Sequence, residues 1–245
     1  MSITVGPLTD DVGKTLIHSL RTQGFAFMPG DMTNSWLSAE PGQWSDFCTY
    51  WNSLTLDQHM GDGGIYRLRR YGAFTLKLPH QLMPLPHAPY VQALDINPLN
   101  GGVQRIFEPL EANFRDHVIL HSLLRRMAAL ADSIEGNTNR WNIKIHPYRI
   151  LSRLESVGLP TPEGLHRDGV DYIAMMLIKR LNISGGDTTV TDCGRRPLWN
   201  ETLSSPMDII IADDHRIMHS VTPITPVDPT LESYRDVLVV AFTKD

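Results

Sequence analysis

Cysteine is scarce in this chain: Cys48 and Cys193 are the only two, and they lie far apart. That excludes a cysteine-ligated metal cluster and a disulfide framework, and two free thiols in a reducing cytoplasm are expected. Long apolar runs are missing as well. None approaches the roughly 18 residues that a membrane-spanning helix needs. The first residues, Met1-Ser2-Ile3-Thr4-Val5-Gly6-Pro7, lack the basic start and apolar core of a secretory signal, so a cytoplasmic location is expected. Positive charge is not in excess. The net charge of −5 gives no general attraction to nucleic acid or an anionic membrane surface. Neither an internal repeat nor a low-complexity tract occurs.

What is present is an ordinary globular composition, 42% hydrophobic and 20% charged over 245 residues. Thr9 or Asp10 can cap a helix carrying Val12, Leu16, Ile17 and Leu20, which Gly24 ends, and Phe25-Ala26-Phe27-Met28 follows as a strand. Aromatics spaced through residues 31–62 predict short helices. Ile65 to Tyr71 alternates like a strand, placing Arg67 and Arg69 on one face with Leu68 and Arg70 on the other. A solvated edge strand accounts for these charges. Entry of one arginine into a pocket to hold a carboxylate is the alternative. The stretch from Pro79 to Pro98, with His80 and His87, reads as an irregular connection, with a lid as the alternative.

Residues 103–135 predict a long helix on the stripe Ile106, Leu110, Phe114, Val118, Leu123, Met127, Leu130 and Ile134, ended by Gly136. His117 and His121 read as ordinary helix residues. Beyond Asn139 the pattern changes to strands: Trp141 to Leu151, Tyr172 to Ile178, Thr188 to Val190 and Thr191, and Val237 to Phe242. The first of these runs through Pro147. Tyr172 to Ile178 is apolar on both faces, as a strand between a helix layer and a cavity would be. Met207 to Ala212 and Ile217 to Val221 bracket Asp213-Asp214-His215-Arg216 as a hairpin. Helices first and many short strands after predict an α+β chain with an antiparallel barrel or jelly roll.

The stretch Gly164-Leu165-His166-Arg167-Asp168-Gly169 places an imidazole and a carboxylate two residues apart, on one face of an extended segment. Of the ten histidines, only His166 has an acidic residue two positions on. A second imidazole would complete the two-histidine, one-carboxylate set that binds Fe(II) with coordination positions left open. His219, on a late strand, and His215, in a polar turn, are the candidates, and His219 is favoured. Arg235 opens the last strand and shares its face with Val237, Val239 and Ala241. A guanidinium directed into an apolar cavity needs an anion, supplied either by an internal carboxylate or by a bound cosubstrate.

Leu165-His166-Arg167-Asp168, Gly185-Gly186-Asp187, His219-Ser220-Val221-Thr222-Pro223 and Arg235-Asp236-Val237-Leu238-Val239 together resemble the Fe(II)/2-oxoglutarate dioxygenases. Within them the similarity is to the bacterial free-amino-acid hydroxylases typified by L-isoleucine 4-hydroxylase. It is dense over the C-terminal third and thinner in His146-Pro147-Tyr148-Arg149 and Tyr66 to Tyr71. The resemblance implies a double-stranded β-helix, the jelly roll, with N-terminal and flanking helices. It also implies that His166, Asp168 and His219 hold iron and that Arg235 binds the distal carboxylate of 2-oxoglutarate. Relatives across the wider superfamily carry Arg-x-Ser where this chain has Arg235-Asp236-Val237, so a second hydrogen bond is assigned to Thr222.

The expected activity is hydroxylation of an unactivated C–H bond in a small aliphatic free L-amino acid, using O2 and releasing succinate and CO2. Arg67, Arg69, Arg70 and Arg149, with Tyr148 beside them, are the candidates to hold the substrate, and Met175 and Met176 suit an aliphatic side chain. One domain over 1–245 is expected, with 1–138 mainly helical on the substrate side and 139–245 carrying the metal site. Two alternatives stand: the same chemistry on a modified amino acid, a peptide-bound residue or another small acid, and a jelly-roll metal-binding module without oxygenase activity.

Overall fold

The computed structural model describes residues 11–79 and 82–245. The expected cap at Thr9 or Asp10, and His80, lie outside the described residues. In chain order come α1 (Asp11–Gln23), β1 (Phe25–Met28), α2 (Gly30–Leu37), α3 (Gln43–Thr49), β2 (Thr55–Leu56), β3 (Arg67–Arg69), β4 (Gly72–Leu76) and β5 (Met83–Pro84). Then follow α4 (Ala112–Arg115), α5 (Val118–Glu135), β6 (Trp141–Leu151), β7 (Tyr172–Leu181), β8 (Ile183–Gly185) and β9 (Asp187–Asp192). The chain ends with β10 (Pro197–Thr202), β11 (Ile209–Asp213), β12 (Ile217–Val221), β13 (Ile224–Pro226) and β14 (Tyr234–Lys244). Among the described residues no helix is long and apolar enough to cross a membrane.

These strands form an α+β jelly roll. A large sheet runs β1-β11-β7-β14-β6-β3-β2, with β4 and β5 attached beside β6, and a small sheet runs β10-β9-β12. β6 passes straight through Pro147. β4 pairs with Trp141 to Ile145 and β3 with Tyr148 to Ile150, so the residue without an N–H falls in the gap between them. The strand alternation sorts β7 as expected: Ala174, Met176 and Ile178 pack toward the helices, while Ile173, Met175 and Leu177 face inward. α5 covers the outer face with Leu120, Leu123, Leu124, Met127 and Leu130, and each such buried side chain contributes about 1.5–3 kcal/mol. The site lies on the inner face, between the large and small sheets.

Two expectations are corrected. The helix predicted over 103–135 starts only at Ala112 and breaks before α5, where the His117 ring accepts the Ile119 N–H as a cap. Residues 103–111 run along the sheet edge instead, since Tyr71 exchanges backbone hydrogen bonds with Glu108 and Leu110, and Tyr90 with Arg105. Ile106, counted in the apolar stripe, is exposed. Pairing with Tyr71 and Tyr90 outweighed a helical spacing that Pro109 in any case interrupts. The predicted hairpin is likewise absent: β11 pairs with β1 and β7, β12 pairs with β9, and the turn between them carries the chain from one sheet to the other.

Candidate functional site

His166 is joined to β12 by one antiparallel bridge rather than by a strand. Its N–H donates to the His219 carbonyl at 3.0 Å and its own carbonyl accepts from His219 N–H at 2.9 Å. The two rings consequently lie 4.4 Å apart, centroid to centroid. Gly169, which follows Asp168, sits at φ +74°, and a Cβ there would come within 2.9 Å of the Ile96 side chain, so glycine spares the turn into β7 both backbone strain and a clash. Asp214, fully buried, accepts the backbone N–H groups of Asp168, Gly169 and Val170 at 3.0, 2.7 and 3.0 Å. This carboxylate shapes the loop that carries Asp168, and sequence reading passed it over as part of a polar turn.

Ligand atoms of His166, Asp168 and His219 all fall within 4.8 Å of one another. Asp168 Oδ1 is 4.0 Å from His166 Nε2, and Asp168 Oδ2 is 3.5 Å from His219 Nε2. His166 Nδ1 lies 2.9 Å from the Gly164 carbonyl, so Nδ1 is the donor and Nε2 is the atom turned toward Asp168. Burial, and then the neighbouring His166, hold His219 well below the usual histidine range, so its ring is neutral. Burial raises the Asp168 carboxyl to about 7 in the absence of a cation, although His166 pulls it down. Asp168 Oδ2 is buried without a hydrogen-bond partner. Two imidazole Nε2 atoms and an unpartnered carboxylate oxygen, converging at one point, fit a divalent cation such as Fe(II). His215 stays outside, exposed and 3.1 Å from Asp171.

Arg235 is 3% exposed and lines the same cavity as Val237, Val239 and Ala241, the residues of its strand face. Among the described residues it has no salt-bridge partner, and its Nε is buried without a hydrogen bond. Burial, with Arg180 adding to it, lowers its pKa to about 10. The Thr188 hydroxyl, in the lining of the same cavity, is also buried and unpartnered. A guanidinium and a hydroxyl both awaiting an acceptor fit the carboxylate of a dicarboxylic cosubstrate. Thr222, expected to share that task, is exposed and bonds to Asp187, whereas the Thr188 hydroxyl lines the cavity.

The arginines divide. Arg67 and Arg69 are 7% and 1% exposed and line the cavity, not a solvated edge. Arg105, 1% exposed and hidden within the predicted helix, joins them. Asp57 is the carboxylate in this cluster: Arg67 Nε donates to it at 2.8 Å, and Arg69 Nη1 lies 3.7 Å away. Burial works against ionisation of Asp57, but Arg67 and Arg69 outweigh it and the net shift is downward. Arg69 is also wedged over Phe107 and Tyr148, 3.7 and 4.7 Å from their ring centroids, and contacts His146 Nδ1 at 2.6 Å. Arg67 sits two strands from Arg235 with Ile150 between them, a separation of about 10 Å from the ordinary strand spacing.

Arg70 and Arg149 do not reach the cavity. Arg70 donates to the carbonyls of Ser53 and Pro109, and Arg149 is locked in a bidentate pair with Asp236 at 2.7 and 2.8 Å. Alternation placed Arg70 on the opposite face from Arg67, and Arg149 opposite Tyr148, which does line the cavity. Met175 lines it too, whereas Met176 packs under the helices.

The family model for 2OG-Fe dioxygenases matches residues 48–241. A 3(1)-hydroxy-L-isoleucine 4-dioxygenase from Pantoea ananatis is 25% identical over 236 residues, which covers 92% of this chain and 94% of the relative. A crystal structure of a bsmA homologue from Methylobium petroleophilum PM1 superposes with a TM-score of 0.86 at 35% identity, over 94% of this chain and 92% of the other. The structure of IDO from Bacillus thuringiensis shares the fold at a TM-score of 0.79 and 17% identity, over 97% of both chains.

Proposed function

The chain belongs to the 2OG-Fe dioxygenase family, and on that premise we propose that it hydroxylates an unactivated C–H bond of a small aliphatic free L-amino acid in the cytoplasm. It is an oxidoreductase that works with Fe(II), 2-oxoglutarate and O2. When bound, iron with 2-oxoglutarate and O2 supplies the oxidising power that replaces hydrogen by hydroxyl at carbon, with succinate and CO2 as co-products.

The chain's own residues do the rest. His166, Asp168 and His219 would hold the iron where their ligand atoms converge, at the wall of the cavity. Arg235 grips the distal carboxylate of 2-oxoglutarate with Thr188 as second donor, and Val237, Val239, Ala241 and Met175 keep water away from that side. Arg67, Arg69 and Arg105 receive the substrate carboxylate, with Tyr148 and Phe107 holding the guanidinium of Arg69 in place. A fixed carboxylate would set which carbon of the side chain lies nearest the His166, Asp168 and His219 group.

The observation that carries this reading is the charge imbalance in the cavity wall. Arg67, Arg69 and Arg105 are buried at the cavity wall, where Asp57 pairs with Arg67 and Arg69 and Glu163 lies near Arg67, and a bound carboxylate would offset the remaining positive charge. The name of the Pantoea ananatis relative supports a second reading, in which the substrate already carries a hydroxyl. The test is protein loaded anaerobically with Fe(II), then given O2, 2-oxoglutarate and a panel of free aliphatic amino acids and their hydroxylated forms. Succinate together with a one-oxygen mass gain in one amino acid, both lost in His166→Ala, is the expected result. Succinate with no oxidised amino acid would move the substrate outside this class.

A further inference from the structure

Glu163 lines the cavity three residues ahead of His166, and its side chain is 13% exposed. Its Oε1 lies 3.4 Å from His166 Nε2, and its Oε2 is buried without a hydrogen-bond partner. Because the His166 Nδ1–H points to the Gly164 carbonyl, Nε2 is the atom left to take the metal, and a metal there leaves no proton on that atom to share with Glu163. Among the described residues no lysine or arginine pairs with Glu163. A carboxylate buried in this way is costly unless a cation meets it.

Two cations could come from outside the chain. The iron is one, yet Glu163 lies outside the group of ligand atoms that converge within 4.8 Å of one another. The other is an ammonium. Glu163 is close enough to Arg67 to add to the forces that keep that guanidinium protonated. An anion-receiving cluster and an ammonium-receiving carboxylate therefore sit side by side, as the two charges on one α-carbon require. Building on the amino-acid reading above, we propose that Glu163 binds the α-ammonium group of the substrate while Arg67, Arg69 and Arg105 hold its carboxylate. The pair of poles selects a zwitterion. It rejects a peptide-bound residue, whose nitrogen is an uncharged amide, and a hydroxy or deaminated acid, which leaves Glu163 unpaired.

The test uses full-length protein loaded with Mn(II) and 2-oxoglutarate without oxygen, titrated calorimetrically with L-isoleucine, L-leucine and L-valine. Each is compared with its deaminated acid and its 2-hydroxy acid. Wild type is expected to bind at least one amino acid about 30-fold or more tightly than the matched acids, and Glu163→Gln to lose that preference. Glu163→Asp, which keeps the charge on a shorter arm, should recover part of it, and Mn(II) affinity should stay the same in both variants. Unchanged amino-acid affinity in Glu163→Gln would overturn the proposal alone, and so would a collapse of Mn(II) affinity, which would make Glu163 a metal ligand. If wild type takes up Mn(II) and 2-oxoglutarate but binds none of the amino acids, the amino-acid reading fails and the proposal fails with it.

Discussion

The Asp214 carboxylate accepts the backbone N–H of Asp168 at 3.0 Å, so one buried acid positions another that belongs to the candidate metal centre. The same carboxylate takes the N–H groups of Gly169 and Val170. Removing it strands three donors in a loop that has no strand pairing of its own. Asp214→Ala is therefore expected to weaken Mn(II) binding by about 10–100-fold, as loss of a group supporting a metal ligand does. Calorimetric titration of metal into the purified variant checks this. Wild-type affinity would mean that the His166–His219 bridge alone sets the loop.

Arg235 gives a prediction in which affinity and stability move in opposite directions. It is a buried cation that has no salt-bridge partner among the described residues, and the attraction of Asp236 does not offset its burial, so folding bears its desolvation until an anion arrives. Arg235→Met should raise the KM for 2-oxoglutarate by about 30-fold or more, the effect of truncating one side of a buried charged contact. The protein without cosubstrate should become more stable, on the order of 1 kcal/mol. Urea unfolding and succinate kinetics read the two effects separately. A fall in stability would place an unrecognised anion of the chain against Arg235.

His166 with Asp168, and Arg235 with its apolar strand face, were legible in the sequence because each is a local pattern: spacing of two on extended backbone determines which side chains share a face. What faces them from across the fold is not local. Arg105 was hidden in an apolar periodicity that continued past the true helix start, and nothing near it announced that Tyr90 would pair with it. Thr188 and Thr222 looked alike in sequence, and only the register of β9 against β12 turns Thr188 inward beside Val221. Arg149 looked as available as Arg69 until β14 brought Asp236 directly opposite it.

That contrast can be measured. Arg149 and Asp236 form a buried pair away from the cavity, so Arg149→Met should cost about 3–5 kcal/mol of stability and leave substrate affinity near wild type. Arg105→Met should do the reverse. Its guanidinium is 1% exposed, donates to Gln92 at 2.7 Å and belongs to the cationic excess around the cavity. Its loss should relieve repulsion in the protein without substrate and raise the KM for the amino acid about tenfold or more. Denaturant midpoints paired with steady-state kinetics distinguish the two, and equal losses of stability would show that Arg105 is structural.

His146 sets a pH dependence of stability whose sign can be worked out. Burial, and then Arg69, Lys144, Arg105 and Arg67, hold it well below the ordinary value of 6.5, and its Nδ1 faces Arg69 Nη2 at 2.6 Å. The folded ring therefore stays neutral in mild acid, while the unfolded chain takes up a proton as pH falls below 6.5. More protons on the unfolded state mean that stability declines with falling pH, by about 1.4 kcal/mol per unit for one such group. The loss starts near the unfolded value and continues until pH reaches the depressed folded one. His219, depressed by burial and His166, adds a second contribution of the same sign in metal-free protein. His146→Gln keeps an acceptor for Arg69 but cannot titrate, so its stability should fall less steeply between about pH 6 and pH 5, by about 1.4 kcal/mol per unit. Urea unfolding of the metal-free protein across that range gives both slopes, and parallel curves would assign the proton uptake to other groups.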